Sequence, residues 1–372
     1  MKLGLCDGNE ALARAAFEAG CRFFAGYPIT PATSIFNTML NILPPAGGVV
    51  LQAEDEIAAM GYCIGASMCG LKAMTATSGP GISLYSEQIS FAIGSEVPLV
   101  IVDVQRLGPS TGSATKGADG DIQFLRWGNS GGLPVIVLAP VDVRDCFALT
   151  MHAFNLAEEY RCPVFLASNK EVALTRESID WAGIERPIII NRSPPPSHES
   201  FLPFRPLADS DVPGFLAIGD TTLVRQTSST HGVDGYITTD PAAISAANER
   251  MSRKIKNRVD RFSYAEAVIE PEAKTMIVTY GVTGRAARDA CRELKAAGKP
   301  TSLLILKTLW PVPENLIRQQ AETAGRVIVV EMNLGQYERE VRRVLKDKSV
   351  EFLGQMNGKL ITPGQIKEAV IG

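Results

Sequence analysis

Between residues 20 and 170 short apolar runs alternate with longer amphipathic stretches, the pattern of a parallel sheet covered by helices. The runs predict strands at 23–26, 49–52, 73–77, 98–104, 135–139 and 164–168. Apolar residues at helical spacing between them predict helices at 8–19, 32–40, 55–68, 83–94 and 143–160. A second α/β unit opens with a strand at 275–280, continues through a helix at 285–297, a strand at 301–306, a helix after Pro313 and a strand at 326–331, and ends in a basic amphipathic helix at 337–345. Three strands with crossovers predict a small parallel domain of about 100 residues. From about 185 to 245 Pro, Ser, Asp and Gly crowd the chain, which predicts an inter-domain segment, with a charged helix at 248–261 after it. The expected division is 1–185, 186–262 and 263–372.

Length and composition, 372 residues with 45% hydrophobic and 21% charged, are those of a soluble globular chain large enough for two cores. A net charge of −3 offers no basic footprint for nucleic acid. No apolar run has the length of a membrane span, and the amino terminus meets a charge before any signal-like core, so a cytoplasmic protein is expected. The seven cysteines are scattered with no Cys-x-x-Cys pair, which argues against a zinc site, an iron–sulfur cluster held by this chain, or a disulfide framework. Most are expected to be small core residues. His152, His198 and His231 are too dispersed in sequence to suggest a triad or a metal site.

The unusual chemistry follows strand ends. Tyr27-Pro-Ile-Thr-Pro31 is stiffened by two prolines and stands between a strand and a helix, where open α/β sheets bind ligands; an ordinary strand-to-helix turn is the plainer alternative. Ser78-Gly-Pro-Gly81 also follows a strand but does not continue as Gly-x-Gly-x-x-Gly, because position 84 is Leu, and no Gly-Lys-Ser/Thr loop exists. Glycines there let a backbone approach something flat or tightly packed. Gln52-Ala-Glu54 puts a carboxylate at a strand end, where a partly buried acid can hold a proton, while Asp55 and Glu56 suit the start of a helix. Arg106, after the strand at 98–104, suits a carboxylate by bidentate pairing; a surface arginine without a ligand is the competing reading. One threonine, one arginine and one glutamate at neighbouring strand ends suggest a small carboxylate substrate beside a basic heterocycle.

Five stretches in order, Tyr27-Pro-Ile-Thr-Pro31, Gln52-Ala-Glu-Asp-Glu56, Thr75-Ala-Thr-Ser-Gly-Pro-Gly81, Val104-Gln-Arg-Leu-Gly-Pro-Ser-Thr-Gly112 and Glu331-Met-Asn-Leu-Gly-Gln336, resemble the alpha subunit of 2-oxoacid:ferredoxin oxidoreductases, most closely the 2-oxoglutarate type. The resemblance implies a thiamine diphosphate enzyme: a doubly wound pyrimidine-binding domain at 1–185, a linker with a helix at 186–262 and a transketolase-C-like domain at 263–372. It implies CoA-dependent oxidative decarboxylation of 2-oxoglutarate to succinyl-CoA and CO2 with reduction of ferredoxin. By the same resemblance Glu54 matches the glutamate that contacts the aminopyrimidine ring and drives its imino tautomer. Thr30 matches the threonine of the substrate loop, Arg106 the arginine near the substrate carboxylate, and Pro28, Ser78 and Gly79 lie in loops near cofactor and substrate.

The resemblance also implies partners. A chain that begins at the pyrimidine domain looks like the short form of the family, with a beta subunit that binds the diphosphate and carries [4Fe-4S], a gamma subunit and a ferredoxin-like delta subunit. Mg2+ and clusters are then expected in partner chains, with no metal held by this one, and the subunit alone is expected to be inactive. The stretch Ser113-Ala-Thr-Lys116 departs from the family's commoner form, which leaves substrate choice open; Lys116 is a candidate partner for a distal carboxylate. A branched-chain or aryl 2-oxoacid is the alternative inside the class, and it needs an apolar pocket in place of that clamp. A non-catalytic scaffold subunit is the alternative outside it, and the joint presence of Glu54, Thr30 and Arg106 counts against it.

Overall fold

In the computed structural model, which describes residues 3–196, 201–208 and 210–372, the apolar runs assemble into two main sheets. His198 lies outside the described residues. The first sheet has seven strands in the spatial order Thr308–Trp310, Ile136–Leu138, Pro163–Asn169, Leu99–Gln105, Lys72–Thr77, Cys21–Gly26, Val49–Gln52. All are parallel except Thr308–Trp310, which runs antiparallel to Ile136–Leu138. The inner strands are buried on both faces, and that is why they read as unbroken apolar runs and not as alternating ones.

The order reverses at Cys21–Gly26. The chain leaves it for Val49–Gln52 on one side, then returns to Lys72–Thr77 on the other. The helix Thr33–Ile42 buries Ile35 and Met39 in one apolar cluster, together with the helices Gly8–Glu18 and Val143–Tyr160. Gly79–Leu84 and Ser86–Gly94 bury Ile82 and Ile89 in the other cluster, on the opposite face, with Glu56–Met68. The loops after residues 26 and 77 therefore part toward opposite faces, and a crevice opens between them at the carboxyl edge of the sheet.

Several helices begin where a carboxylate or amide is free to cap them. Asp55 accepts from Ala58 N at 2.7 Å, Asp142 from Asp145 N at 2.9 Å and Asn169 from Val172 N at 3.0 Å. The helix expected at 83–94 instead starts at Gly79 and breaks at Tyr85, whose hydroxyl turns in to Thr75 Oγ1 at 2.8 Å.

The second sheet has five strands and not three: Ser349–Gly354, Arg326–Glu331, Thr275–Tyr280, Ser302–Leu306 and the antiparallel edge Ala265–Val268. The strand Ser349–Gly354 and the helix Pro363–Ile371 follow the helix Glu338–Val344, so the basic helix is not the last element. Both edge strands are half exposed, which hides them in a search for apolar runs. The short antiparallel pair Leu3–Asp7 with Arg176–Asp180 escaped the same search for the same reason. Both apolar clusters run from one sheet into the other, so the two sheets share their packing.

The charged helix is Pro241–Lys256, capped by Asp240 and ending before a short turn of helix at Val259–Phe262, earlier than its charge pattern predicted. It docks through ions. Glu96, fully buried, accepts from Arg250 at 2.5 Å and Lys254 at 2.6 Å, while Arg161 reaches Glu96 O at 3.2 Å and Gly214 O at 2.8 Å. Burial alone would raise the Glu96 carboxyl, but Lys254 and Arg250 outweigh it and hold it at about 2. The segment leading to the helix is tied down by Arg192, paired with Glu158 at 2.7 Å.

Removing the Glu96 charge strands two buried cations, so Glu96→Gln is expected to cost about 3–5 kcal/mol in urea unfolding at pH 7. The carboxyl is depressed in the folded state, so its contribution is complete above the unfolded value of 4.5 and is lost as pH falls toward about 2. Wild type and variant should therefore converge in acid; a gap that stays constant down to pH 2 would falsify the assignment.

Candidate active site

Four strand ends meet along the carboxyl edge of the first sheet. From Leu99–Gln105 toward the edge strand they deliver Arg106, Ser78 with Gly79, the loop Tyr27-Pro-Ile-Thr-Pro31, and Glu54. Thr30, Arg106, Ser78 and Gly79 are drawn together. Arg106 is buried and donates from Nη1 to Thr30 O at 2.6 Å and from Nη2 to Thr111 O at 3.0 Å. The expected arginine is present, but in this chain it spends two hydrogen bonds on backbone carbonyls of the loops beside it, and its Nε finds no partner. A β-carbon placed on Gly79 would lie 4.0 Å from Arg106 Cγ and 3.9 Å from both Ser110 O and Asp121 Oδ2.

Glu54 is exposed and not partly buried; its neighbour Ala53 donates to Gly26 O at 3.0 Å, which pins the base of the loop. Among the described residues no hydrogen bond or ion pair engages its carboxylate. Three strand spacings separate Glu54 from Arg106, roughly 14 Å across the sheet. No small carboxylate touches both, so a larger group must lie between them if they act in one reaction. Pro28 is half-buried in the same loop wall. Lys116 is exposed, accepts through its carbonyl from Leu107 N at 2.8 Å and packs its stem against the backbone of Gly358.

Beneath the row lies a buried polar layer. Strand alternation puts Asp103 and Gln105 on the face that carries Gly79–Leu84. Asp103 has neither carboxylate oxygen paired, and Thr77 Oγ1, Ser78 Oγ, Asp119 Oδ2, Asp121 Oδ2 and Ser168 Oγ are buried without partners. Burial, with Asp121 close by, holds the Asp103 carboxyl well above the usual range. Asp119 is pushed up to about 7 by burial against its bond from Asn169, and Asp121 to about 6 by burial against Asp103 and Arg106. Asp103 was legible as an anomaly, a charge inside an apolar strand; Asp119 and Asp121 sit in a loop and gave no signal. No group of three or more His, Cys, Asp or Glu among the described residues is arranged to hold a metal ion.

The second sheet closes this layer from its own strand ends. Glu331 accepts from Tyr280 Oη at 2.8 Å, Asn333 Nδ2 at 2.9 Å and Tyr337 N at 3.0 Å. Asn333 also donates to Asp119 O at 2.8 Å, Asp119 N donates to Met332 O at 2.9 Å, and Gln123 donates twice to Gln336, from N to Oε1 and from Nε2 to O. Six of the seven cysteines are buried and all are free thiols, while His152 stacks on Tyr264 and His231 on Phe204.

A family model for pyruvate flavodoxin/ferredoxin oxidoreductase, thiamine diphosphate-binding, matches residues 14–250, and one for pyruvate:ferredoxin oxidoreductase core domain II matches 273–366. This chain belongs to that family. It is 41% identical over 370 residues to the 2-oxoglutarate synthase subunit KorA of Methanothermobacter thermautotrophicus, covering 98% of this chain and 97% of that one. The ketoisovalerate oxidoreductase subunit VorB of the same organism is 33% identical over 373 residues, covering 100% and 97%. Among solved structures, the 2-oxoglutarate:ferredoxin oxidoreductase from Magnetococcus marinus, with 2-oxoglutarate, coenzyme A and succinyl-CoA bound, superposes with a TM-score of 0.91 at 33% identity. That match covers 99% of this chain, which spans 65% of the solved one. The fold is thus a thiamine-diphosphate-binding α/β domain joined to a second α/β unit, within an oxidoreductase family whose members are named as subunits. No helix among the described residues is long and apolar enough to cross a membrane.

The crevice needs a bare backbone at Gly81, where a β-carbon would stand 2.0 Å from Thr77 Oγ1 and 2.9 Å from Glu56 Cγ. Gly81→Ala is expected to destabilise the chain by about 1–3 kcal/mol in thermal melts, the usual cost of overpacking. Adding Thr77→Ala should restore most of the loss. A single variant as stable as wild type would show that this contact is not a constraint.

Proposed function

We propose that this chain is the alpha subunit of a 2-oxoglutarate:ferredoxin oxidoreductase, which converts 2-oxoglutarate, CoA and oxidised ferredoxin to succinyl-CoA, CO2 and reduced ferredoxin. The observation that carries the reading is the row of Arg106, Thr30, Ser78 and Glu54 along one sheet edge, in a chain of this family. The unpaired Glu54 carboxylate and the unpaired hydroxyls of Thr77 and Ser78 suit the pyrimidine end of thiamine diphosphate. Glu54, Pro28, Ser78 and Gly79 would hold that end. When bound, the cofactor supplies the nucleophilic carbon and the electron sink that decarboxylation requires. Glu54 keeps a proton at the ring nitrogen, Arg106 and Thr30 receive the 2-oxoacid carboxylate, and Lys116 meets a distal carboxylate. Two guanidinium bonds already made to Thr30 O and Thr111 O leave Arg106 oriented before substrate arrives.

The same proposal assigns residues 1–185 to the pyrimidine-binding domain, 186–262 to the linker and 263–372 to the transketolase-C-like domain, in support of which the strands between 21 and 169 share one sheet and those between 265 and 354, Thr308–Trp310 apart, the other. Strand Thr308–Trp310, which crosses from the last segment into the first sheet, would be the rivet between them. The partners are a beta subunit with the diphosphate, Mg2+ and [4Fe-4S], a gamma subunit and a ferredoxin-like delta subunit, in the cytoplasm. The kinship with a ketoisovalerate oxidoreductase subunit keeps a branched-chain 2-oxoacid as the second reading.

Viologen-dye reduction by the assembled complex with CoA and a panel of 2-oxoacids tests both, and a preference for 2-oxoisovalerate over 2-oxoglutarate would overturn the first. Glu54→Gln should abolish the 2-oxoacid-dependent rate, and an unchanged rate removes Glu54 from proton handling. Arg106→Ala should raise KM about 10- to 100-fold, the worth of a charged hydrogen bond, while cofactor loading stays intact. Cofactor lost instead would make Arg106 structural.

A further inference from the structure

We propose that Asp121, paired with Asp103 beneath Gly79, is the buried counter-charge of Arg106, and that its charge opposes the binding of a 2-oxoacid carboxylate at the guanidinium. The inference rests on the reading of Arg106 as the substrate's carboxylate partner. Its geometry is independent of that reading. Asp121 Oδ2 and Arg106 Cγ flank Gly79, 3.9 and 4.0 Å from where its β-carbon would stand, and both Asp121 Oδ2 and Arg106 Nε are buried without a hydrogen bond. Asp121 is fixed from its backbone, whose N–H donates to Gln105 Oε1 at 3.0 Å, while Gln105 itself is anchored to Ser168 O at 3.2 Å. Asp103, two residues before Gln105 on the same strand face, lies within hydrogen-bonding reach of Asp121 and has no other donor or acceptor.

Two touching buried carboxyls cannot both ionise. The division of roles follows from what each one faces. Asp103 is fully buried and its charged neighbours, Asp121 and Asp119, are acids, so it keeps its proton and donates a hydrogen bond to Asp121. Asp121 faces Arg106 as well, so it takes the negative charge. The other titratable groups around the pair are Asp119 on the same loop, Glu331 beyond it on the second sheet and Glu56 on the helix beside Gly81. All are acidic, which leaves Arg106 as the nearby cation. Arg106 does not need Asp121 for its orientation, because Thr30 O and Thr111 O already hold its two terminal nitrogens. The effect of Asp121 is therefore electrostatic: ionised, it weakens the site for a second anion; protonated, at about pH 6 and below, it releases the full charge of Arg106.

The test uses the assembled complex and KM for 2-oxoglutarate against pH. Wild-type KM should fall as pH drops from 8 to 6. In Asp121→Asn it should be about three- to tenfold lower at pH 8 and flat across the range, with kcat changed less, as expected for removing one nearby charge in a partly screened site. Asp103→Asn, whose amide still donates to Asp121, should keep the wild-type dependence. A dependence retained in Asp121→Asn, a KM raised at every pH, or a profile flattened by Asp103→Asn each overturns the proposal. Infrared spectroscopy of the folded chain at pH 7 gives a readout without substrate: a protonated-carboxyl band in wild type that loses one component in Asp103→Asn, the part contributed by Asp119 remaining. Absence of that component in wild type also overturns it. Should Arg106→Ala leave KM unchanged while the component is present, the fault lies with the role given to Arg106 in substrate binding and not with the acid pair.

Discussion

A guanidinium sunk below a sheet edge must find acceptors or cost several kcal/mol, and Arg106 finds them in the carbonyl oxygens of Thr30 and Thr111. Those carbonyls belong to loops that leave different strands, so one side chain sets the distance between them. The helices beyond residues 26 and 77 depart to opposite faces, which leaves a crevice beside the loops that Arg106 joins. Without that tie, each loop would depend on its own short turn. With it, the positions of Thr30 and Thr111 follow from one rigid fork of donors.

The tie is only as firm as the segment below it. Residues 119–123 have no regular structure until Ile122, yet they carry two carboxylates beside the strand ends. What holds them is the far end of the chain: Asn333, Met332 and Gln336 bond to Asp119, Gly120 and Gln123. Glu331 in turn fixes Asn333 and the start of the following helix. The second sheet thus acts on the crevice by constraining the backbone that lines it, and residues more than 200 positions away in sequence hold the chain on either side of Asp121.

The chain buries carboxyls in two ways with opposite results. Glu96 is surrounded by Arg250, Lys254 and Arg161 and stays ionised, and the ion cluster docks a helix. Asp103 and Asp119 are buried just as deeply but face acids and neutral donors, so burial dominates and they favour the protonated form. Depth is the same; the number of cations in contact decides the charge state.

The parallel sheet was legible because strands buried on both faces are necessarily runs of apolar residues, and the strands Lys72–Thr77, Thr275–Tyr280 and Arg326–Glu331 lie where those runs lie. The loops bearing Thr30, Ser78 and Arg106 were legible because chemistry in such folds sits after strand ends, and prolines and glycines mark those turns. Edge strands such as Ser349–Gly354, and the crossing strand Thr308–Trp310, were not: half their surface is exposed or their partners lie far along the chain. Glu54 was expected to be partly buried and is exposed, because burial depends on what packs over a strand end and not on the residues beside it. Local spacing determined the elements, the caps and the candidate residues. Which carboxylates share a proton, and which carbonyls occupy Arg106, only the tertiary structure decided, since those contacts join segments that no periodicity relates.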